Sequence, residues 1–259
     1  MTKQLGADET TASAWRMIPM VIGQGESPPP ATKTTPGLYL IAMCDVLGFS
    51  DFVRAHPLEE VYEEYFALRN KVRSSQGIAG YTPRVPQAVP VLDGVVFSDT
   101  LLFWAPATGA PQTLPMSLAY LLAQTIGSMP LRVGFAFGKC VIDPGNDVYV
   151  GQPIIDAYQT ERRQEWVGGA YHPSCWTAGD LREMLLHWRT AVEYPVPVKP
   201  AKSIDPGEEG DPLLEYALGW TSLADGDVSD TLDQQERHAP SEAKVKWQNA
   251  RTFYESQRG

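Results

Sequence analysis

Asp45 and Asp99 each stand where an apolar run gives out. Asp45 closes the run GLYLIAMC (residues 37–44), and Asp99 lies in Ser98-Asp99-Thr100, between VLDGVVF and LLFWAP. Two carboxylates brought to neighbouring strand ends repel one another unless a cation lies between them. Oxygen donors suit Mg²⁺ or Mn²⁺, which bind through one or two carboxylates, waters and substrate phosphates. A pair of such ions can activate a sugar hydroxyl and stabilise a leaving phosphate. Either aspartate alone is an ordinary turn residue; the two together favour the metal reading. Between them, Gly48 permits an unusual backbone angle, so the amides of Gly48, Phe49 and Ser50 can converge on phosphate oxygens. A plain strand-to-helix turn is the alternative reading of that Gly.

The elements that must position these residues can be read from hydropathy. Residues 37–44 suit a strand covered on both faces. A helix follows from about His56, with Leu58, Val61, Tyr62, Tyr65, Phe66 and Leu68 opposite Glu59, Glu60, Glu63 and Glu64. Gly77, Gly80, Pro83, Pro86 and Pro90 mark residues 74–90 as a loop. A tight hairpin then carries Asp99 at its tip. Helix is predicted from Met116 to Ser128, strand over 131–142, a turn at 143–147, the short strand VYV, and helix from Pro153 to Trp166. Further on, helix is expected over 176–188, strands over 191–199 and 213–220, loops over 203–212 and 224–235, and a helix from Ser241 to Gln257.

This β-α-β-β-α-β order predicts an α+β, ferredoxin-like fold, an antiparallel sheet with helices on one face. In that order the strand ends bearing Asp45 and Asp99 lie side by side. Residues 1–36, with the run Pro28-Pro29-Pro30, read as an N-terminal extension, partly flexible, before a domain over 37–259.

Composition excludes several classes. At 259 residues and 43% hydrophobic content the chain can bury one large core or two small ones. A formal charge of -10 disfavours a nucleic-acid or anionic-membrane binder. Cys44, Cys140 and Cys175 are scattered, and His56, His172, His187 and His238 lack ligand spacing, so neither a disulfide framework nor a zinc motif is expected. No signal-peptide pattern and no membrane-length apolar run is present, and a cytoplasmic location is the expectation.

The motifs resemble those of class III nucleotidyl cyclases, the adenylate/guanylate cyclase-like group. CDVLGFSDF is similar to their first metal motif and FSDTLLFW to their second. LRVGFAFGKCVI resembles their Arg-Val-Gly strand, and YVGQPIIDAYQTERR the segment where a Gly opens the helix after the base-binding strand. The matching elements cover residues 37–166. Within the group, the helix pattern looks most like the Pycsar pyrimidine cyclases of bacterial anti-phage defence. The resemblance implies a cytoplasmic homodimer with sites at its interface, using two Mn²⁺ or Mg²⁺ ions per site and a nucleoside triphosphate. A separate effector protein would read the cyclic product. It implies Asp45 and Asp99 as catalytic metal ligands, with the Val46 carbonyl as a further ligand. Gly48, Phe49, Ser50 and Arg132 would bind the nucleotide.

Departures from the family pattern bear on substrate. The purine-reading Lys and acidic positions are occupied by Val95 and Val148, which argues against ATP. UTP is the favoured substrate and CTP the alternative. Phe97 and Tyr149 could narrow a base pocket or pack in a core or interface. The usual transition-state Asn and Arg positions hold Ile155 and Gln159, leaving Arg162 or Arg163, or the metals alone, to stabilise charge, and an inactive nucleotide-binding scaffold as a second reading. A dinucleotide cyclase is disfavoured because no Gly-Gly-Asp/Glu-Glu-Phe hairpin occurs.

Overall fold

The computed structural model describes residues 34–78, 93–200, 213–224 and 226–258. The N-terminal extension before residue 34 and the loops expected over 79–90 and 203–212 lie outside these residues. The chain runs β1 (Gly37–Val46), α1 (Phe49–Ala55), α2 (Leu58–Ile78), β2 (Asp93–Phe97), β3 (Thr100–Pro106), α3 (Thr113–Thr125) and β4 (Leu131–Asp143). It continues β5 (Val148–Val150), α4 (Gln152–Arg163), β6 (Gly168–Tyr171), α5 (Gly179–His187), β7 (Ala191–Glu193), β8 (Tyr216–Leu218), α6 (Ser229–His238) and α7 (Ser241–Ser256).

β1 is central because it is apolar on both faces. It pairs antiparallel with β3 on one side and with β4 on the other. The sheet order is β2-β3-β1-β4-β6-β8-β7, with β5 folded back on the end of β4. The predicted ferredoxin-like core is therefore present. The sheet becomes mixed where β4 pairs parallel with β6.

Alternation along β1 assigns the faces. Leu40, Ala42, Cys44 and Val46 enter the main core with Leu68 and Val72 of α2 and Leu114, Leu118, Leu121 and Leu122 of α3. That is the expected helical layer. Ile41 and Met43 point the other way and join a smaller core with Ala136 of β4 and Ala157 of α4. So α4 adds a layer on the opposite face. Its close approach depends on Gly134, where a Cβ would fall 2.2 Å from the Ala157 carbonyl oxygen and 2.4 Å from the Glu161 nitrogen.

Several boundaries differ from the sequence-based expectation. α1 begins at Phe49, inside the stretch read as a turn, and α2 runs on to Ile78. On α2, Val61, Leu68 and Val72 are buried, while Leu58, Tyr62 and Phe66 are exposed, so the apolar stripe faces inward over only part of its expected width. α4 stops at Arg163, and β6 follows as the tetrapeptide Gly168-Gly169-Ala170-Tyr171, a strand the sequence did not announce. The loop expected over 224–235 instead contains the start of α6. The strands expected over 191–199 and 213–220 contract to three residues each.

The Gly134 contact yields a stability prediction. Gly134→Ala forces α4 off the sheet and is expected to cost about 1–3 kcal/mol, the usual range for overpacking. Urea denaturation checks it; a midpoint within error of the parent would refute the close-packing account.

Candidate active site

The chain end of β1 and the β2–β3 hairpin bring the two aspartates together. Asp45 faces Thr100 across the β1–β3 ladder, and the Val46 amide donates to the Asp99 carbonyl over 3.0 Å. The hairpin is tight: Phe97 pairs with Thr100, leaving only Ser98 and Asp99 in the turn. Ser98 takes the positive φ (55°) at its first position. Asp45 belongs to the odd-numbered side of β1, the face that α4 covers.

After β1, Gly48 lies in the left-handed region (φ 76°) and caps α1, its carbonyl accepting from the Phe52 amide at 2.9 Å. The left-handed angle favours Gly for lack of a Cβ. Phe49 is half-buried, and Gly48 and Ser50 are exposed at the start of α1. The predicted phosphate-binding turn is therefore also a helix start next to Asp45.

Arg132 sits directly opposite Asp45 on β4. Its side chain is buried, only 6% exposed. Nη2 donates to Asp45 Oδ2 at 3.2 Å, Nη1 to the Gln164 carbonyl at 3.3 Å, and Nε to Glu161 Oε1 of α4. The arginine expected to bind phosphate is thus engaged with two carboxylates. Gln164 is fixed in turn: its side-chain amide donates to the Val133 and Thr160 carbonyls, both at 2.9 Å, and its side-chain oxygen accepts from the Trp166 indole at 2.7 Å.

Glu161 was not among the residues singled out from sequence. Its neighbours Arg162 and Arg163 make this part of the expected helix look like a solvated charged face. The available signal was spacing: Pro153, Ala157, Thr160, Glu161 and Gln164 recur at helical intervals, and all are buried. Asp45, Arg132, Glu161, Thr100, Tyr158 and Arg162 line one cleft of about 230 Å³, together with Met43 and Cys44. Of the two arginines considered for charge stabilisation, Arg162 faces this cleft, its guanidinium 5.4 Å from the Tyr158 ring centre. Arg163 is buried, and its carbonyl accepts from the Lys199 amide.

The electrostatics follow from burial. Desolvation raises Asp45 above the ordinary carboxylate range; Arg132 opposes the shift and Asp99 adds to it. Glu161 is pushed up to about 7, chiefly by burial, with Arg132 opposing and Asp45 reinforcing.

Among the described residues no group of three or more His, Cys, Asp or Glu forms a ready-made metal cage. Asp45 and Asp99 nevertheless fit a hard divalent ion. They are two oxygen donors, with the Asp99 charge near enough to raise the Asp45 carboxyl, and Mg²⁺ or Mn²⁺ completes such a set with waters and phosphates. Val46, whose carbonyl is the third expected ligand, follows Asp45 directly, and its side chain is buried in the main core.

Ile155, at one of the two positions where the family carries its transition-state groups, is 50% exposed on α4. Of the two aromatics considered for the base pocket, Tyr149 packs on Trp104, with ring centres 5.4 Å apart, and belongs to the smaller core. Phe97 is 80% exposed beside the hairpin turn.

No family model matches the sequence, and no curated protein matches it. Solved structures do. A bacterial light-regulated adenylyl cyclase aligns at 10% identity and TM-score 0.52, covering 83% of this chain and 59% of that one. The catalytic core of a rhodopsin-guanylyl cyclase with converted specificity, in complex with ATPalphaS, aligns at 12% identity and TM-score 0.53, covering 73% and 99%. A monomeric guanylyl cyclase domain of the RhoGC fusion protein from the aquatic fungus Blastocladiella emersonii aligns at 11% identity and TM-score 0.51, also covering 73% and 99%. The chain thus spans 59% of the light-regulated enzyme and nearly all of the two guanylyl cyclase domains. What is shared at these identities is the fold, that of the class III nucleotidyl cyclase catalytic domain.

Glu161 supplies a pH prediction. A carboxyl raised from 4.5 to about 7 on folding contributes stability that is full below 4.5 and is lost as pH rises through about 7. Glu161→Gln stays neutral throughout. Its melting temperature is therefore expected to gain on the parent's between pH 5 and pH 8, each pKa unit being worth about 1.4 kcal/mol. A difference that does not change with pH would refute the assignment.

Proposed function

We propose that this protein is a nucleotidyl cyclase that converts UTP to cyclic UMP and pyrophosphate, a phosphorus-oxygen lyase. The carrying observation is the meeting of Asp45 and Asp99 at one sheet edge, beside the left-handed Gly48 turn, in a class III cyclase fold. In the reaction the ribose 3′-oxygen bonds to the α-phosphorus as the bond to the β-phosphate oxygen breaks, and pyrophosphate leaves. Asp45, Asp99 and the Val46 carbonyl would hold two Mn²⁺ or Mg²⁺ ions. When bound, these ions supply acidification of the sugar hydroxyl and neutralisation of the triphosphate. The amides of Gly48, Phe49 and Ser50 orient phosphate oxygens. Arg132 fixes Asp45 from beneath, and Arg162 supplies positive charge at the cleft mouth.

Preference for a pyrimidine is supported by Val95 and Val148, apolar and partly exposed where a purine reader would need polar groups. Cyclic CMP from CTP is the competing product.

The site is proposed to lie at a homodimer interface. A cleft of about 230 Å³ is below the roughly 300–1,000 Å³ typical of small-molecule sites. Phe97, Ile155 and Tyr158 leave large apolar surface exposed on the hairpin and on α4. A second copy would cover that surface and complete the nucleotide's enclosure. No helix among the described residues is long and apolar enough to cross a membrane. Following the resemblance to Pycsar cyclases, we further propose a cytoplasmic role in bacterial anti-phage defence, the cyclic product being read by a separate effector.

Two experiments test this reading. Incubated with Mn²⁺ and each of the four NTPs, the protein is expected to release pyrophosphate and cyclic UMP from UTP. Asp45→Ala and Asp99→Ala should each lower turnover by at least about 10²-fold, the scale for losing a charge-stabilising group. Cyclic CMP alone would redirect the substrate assignment, and inactivity with all four NTPs in a dimeric preparation would favour the scaffold reading. Phe97→Glu is expected to shift the sedimentation profile toward monomer and to make activity rise steeply with protein concentration. An unaltered dimer would move the interface elsewhere.

A further inference from the structure

Glu161 is a carboxylate deep in α4, 3% exposed, within bonding distance of Arg132, which also touches Asp45. Resting on the cyclase reading above, we propose that Glu161 is a positioning residue of the cation site. By holding Arg132 from the α4 side, it sets the orientation and effective charge of the Asp45 carboxylate that receives a divalent ion.

All three guanidinium nitrogens of Arg132 are committed: Nε to Glu161, Nη1 to the Gln164 carbonyl and Nη2 to Asp45. A planar guanidinium held at two corners has a fixed third corner. That corner ties Asp45 Oδ2, so the other carboxylate oxygen is the one that can meet an ion. Carboxylates that bind metal are commonly oriented by such outer partners. The support behind Glu161 is rigid, because its backbone nitrogen lies against Gly134 and Gln164 is bonded on both sides.

Charge runs in the same direction as geometry. With Glu161 ionised, the positive charge of Arg132 is shared between two carboxylates. Without it, the whole guanidinium charge falls on Asp45 and competes with the incoming cation. Loss of Glu161 should therefore weaken metal binding even though Glu161 does not itself touch the metal.

The test is Mn²⁺ binding at pH 8, where Glu161 is ionised, to the metal-stripped full chain without nucleotide, with free Mn²⁺ read by electron paramagnetic resonance. Glu161→Gln, which keeps size and one acceptor, is expected to raise the Mn²⁺ Kd about tenfold or more with near-ultraviolet circular dichroism unchanged. The lost turnover should return at high Mn²⁺. A Kd within twofold of the parent in a folded variant overturns the proposal. Should the Gln variant not fold, Glu161→Asp carries the same test, since its shorter reach draws Arg132 away from Asp45; parent-like affinity again overturns it. Asp45→Asn separates the two levels of inference. Mn²⁺ binding that is absent in the parent, or indifferent to Asp45→Asn, overturns the active-site reading and this one with it. Binding lost in Asp45→Asn but parent-like in Glu161→Gln overturns only the positioning role.

Discussion

The buried guanidinium of Arg132 is the interaction on which the site depends. Taking an arginine out of water costs several kcal/mol unless its charge and each of its three nitrogens find partners. Here they are met by Asp45 from β1, Glu161 from α4 and a carbonyl just past the end of α4. No single element supplies the set. The side chain can be buried only if β1, β4 and α4 are already in register, so electrostatic satisfaction and assembly of the site are the same event. A hydrophobic replacement of the trio would fold as well or better by the general behaviour of buried ion pairs, but it would remove Asp45.

That constraint explains the backbone around it. β4 must let α4 come close enough for Glu161 to reach Arg132, and Gly134, two residues on and on the α4 face, is where side-chain volume has been given up. Beyond the helix, a short bridge between Gln164 and Val198 and the Lys199 ammonium on the Arg162 carbonyl, at 2.6 Å, hold its last turn. The other element of the candidate site is built differently. Asp99 hangs on a two-residue turn whose outer strand, β2, is the end of the sheet path, so it is positioned by local turn geometry rather than by burial.

How much of this was legible in the sequence follows from what each element is made of. β1, β3 and β4 are long apolar runs, and reading them placed Asp45 and Asp99 at neighbouring strand ends; that Arg132 faces Asp45 follows only from the register of β1 against β4. β6 was illegible because Gly168, Gly169 and Ala170 carry no strand propensity; those small residues are there because their neighbours leave no room, with a Cβ on Gly169 falling 2.9 Å from Leu218. α6 was read as loop because only Leu232 is buried within its polar sequence. Glu161 was missed for a related reason. Charge in sequence suggests solvent, and only the tertiary arrangement shows that this carboxylate faces an arginine from another strand.

Trp166 gives the same network an optical side. Its indole is fully buried, and it donates to the side-chain oxygen of the glutamine whose carbonyl takes Arg132 Nη1. It also stacks on Tyr194 and meets Phe253 of α7 edge-on. A change of charge at Asp45 therefore alters the electric field at a chromophore three hydrogen bonds away, in a dry environment where that field is weakly screened. Trp166 is an intrinsic fluorophore wired to the candidate site from behind, so its emission can report occupancy of that site without any label.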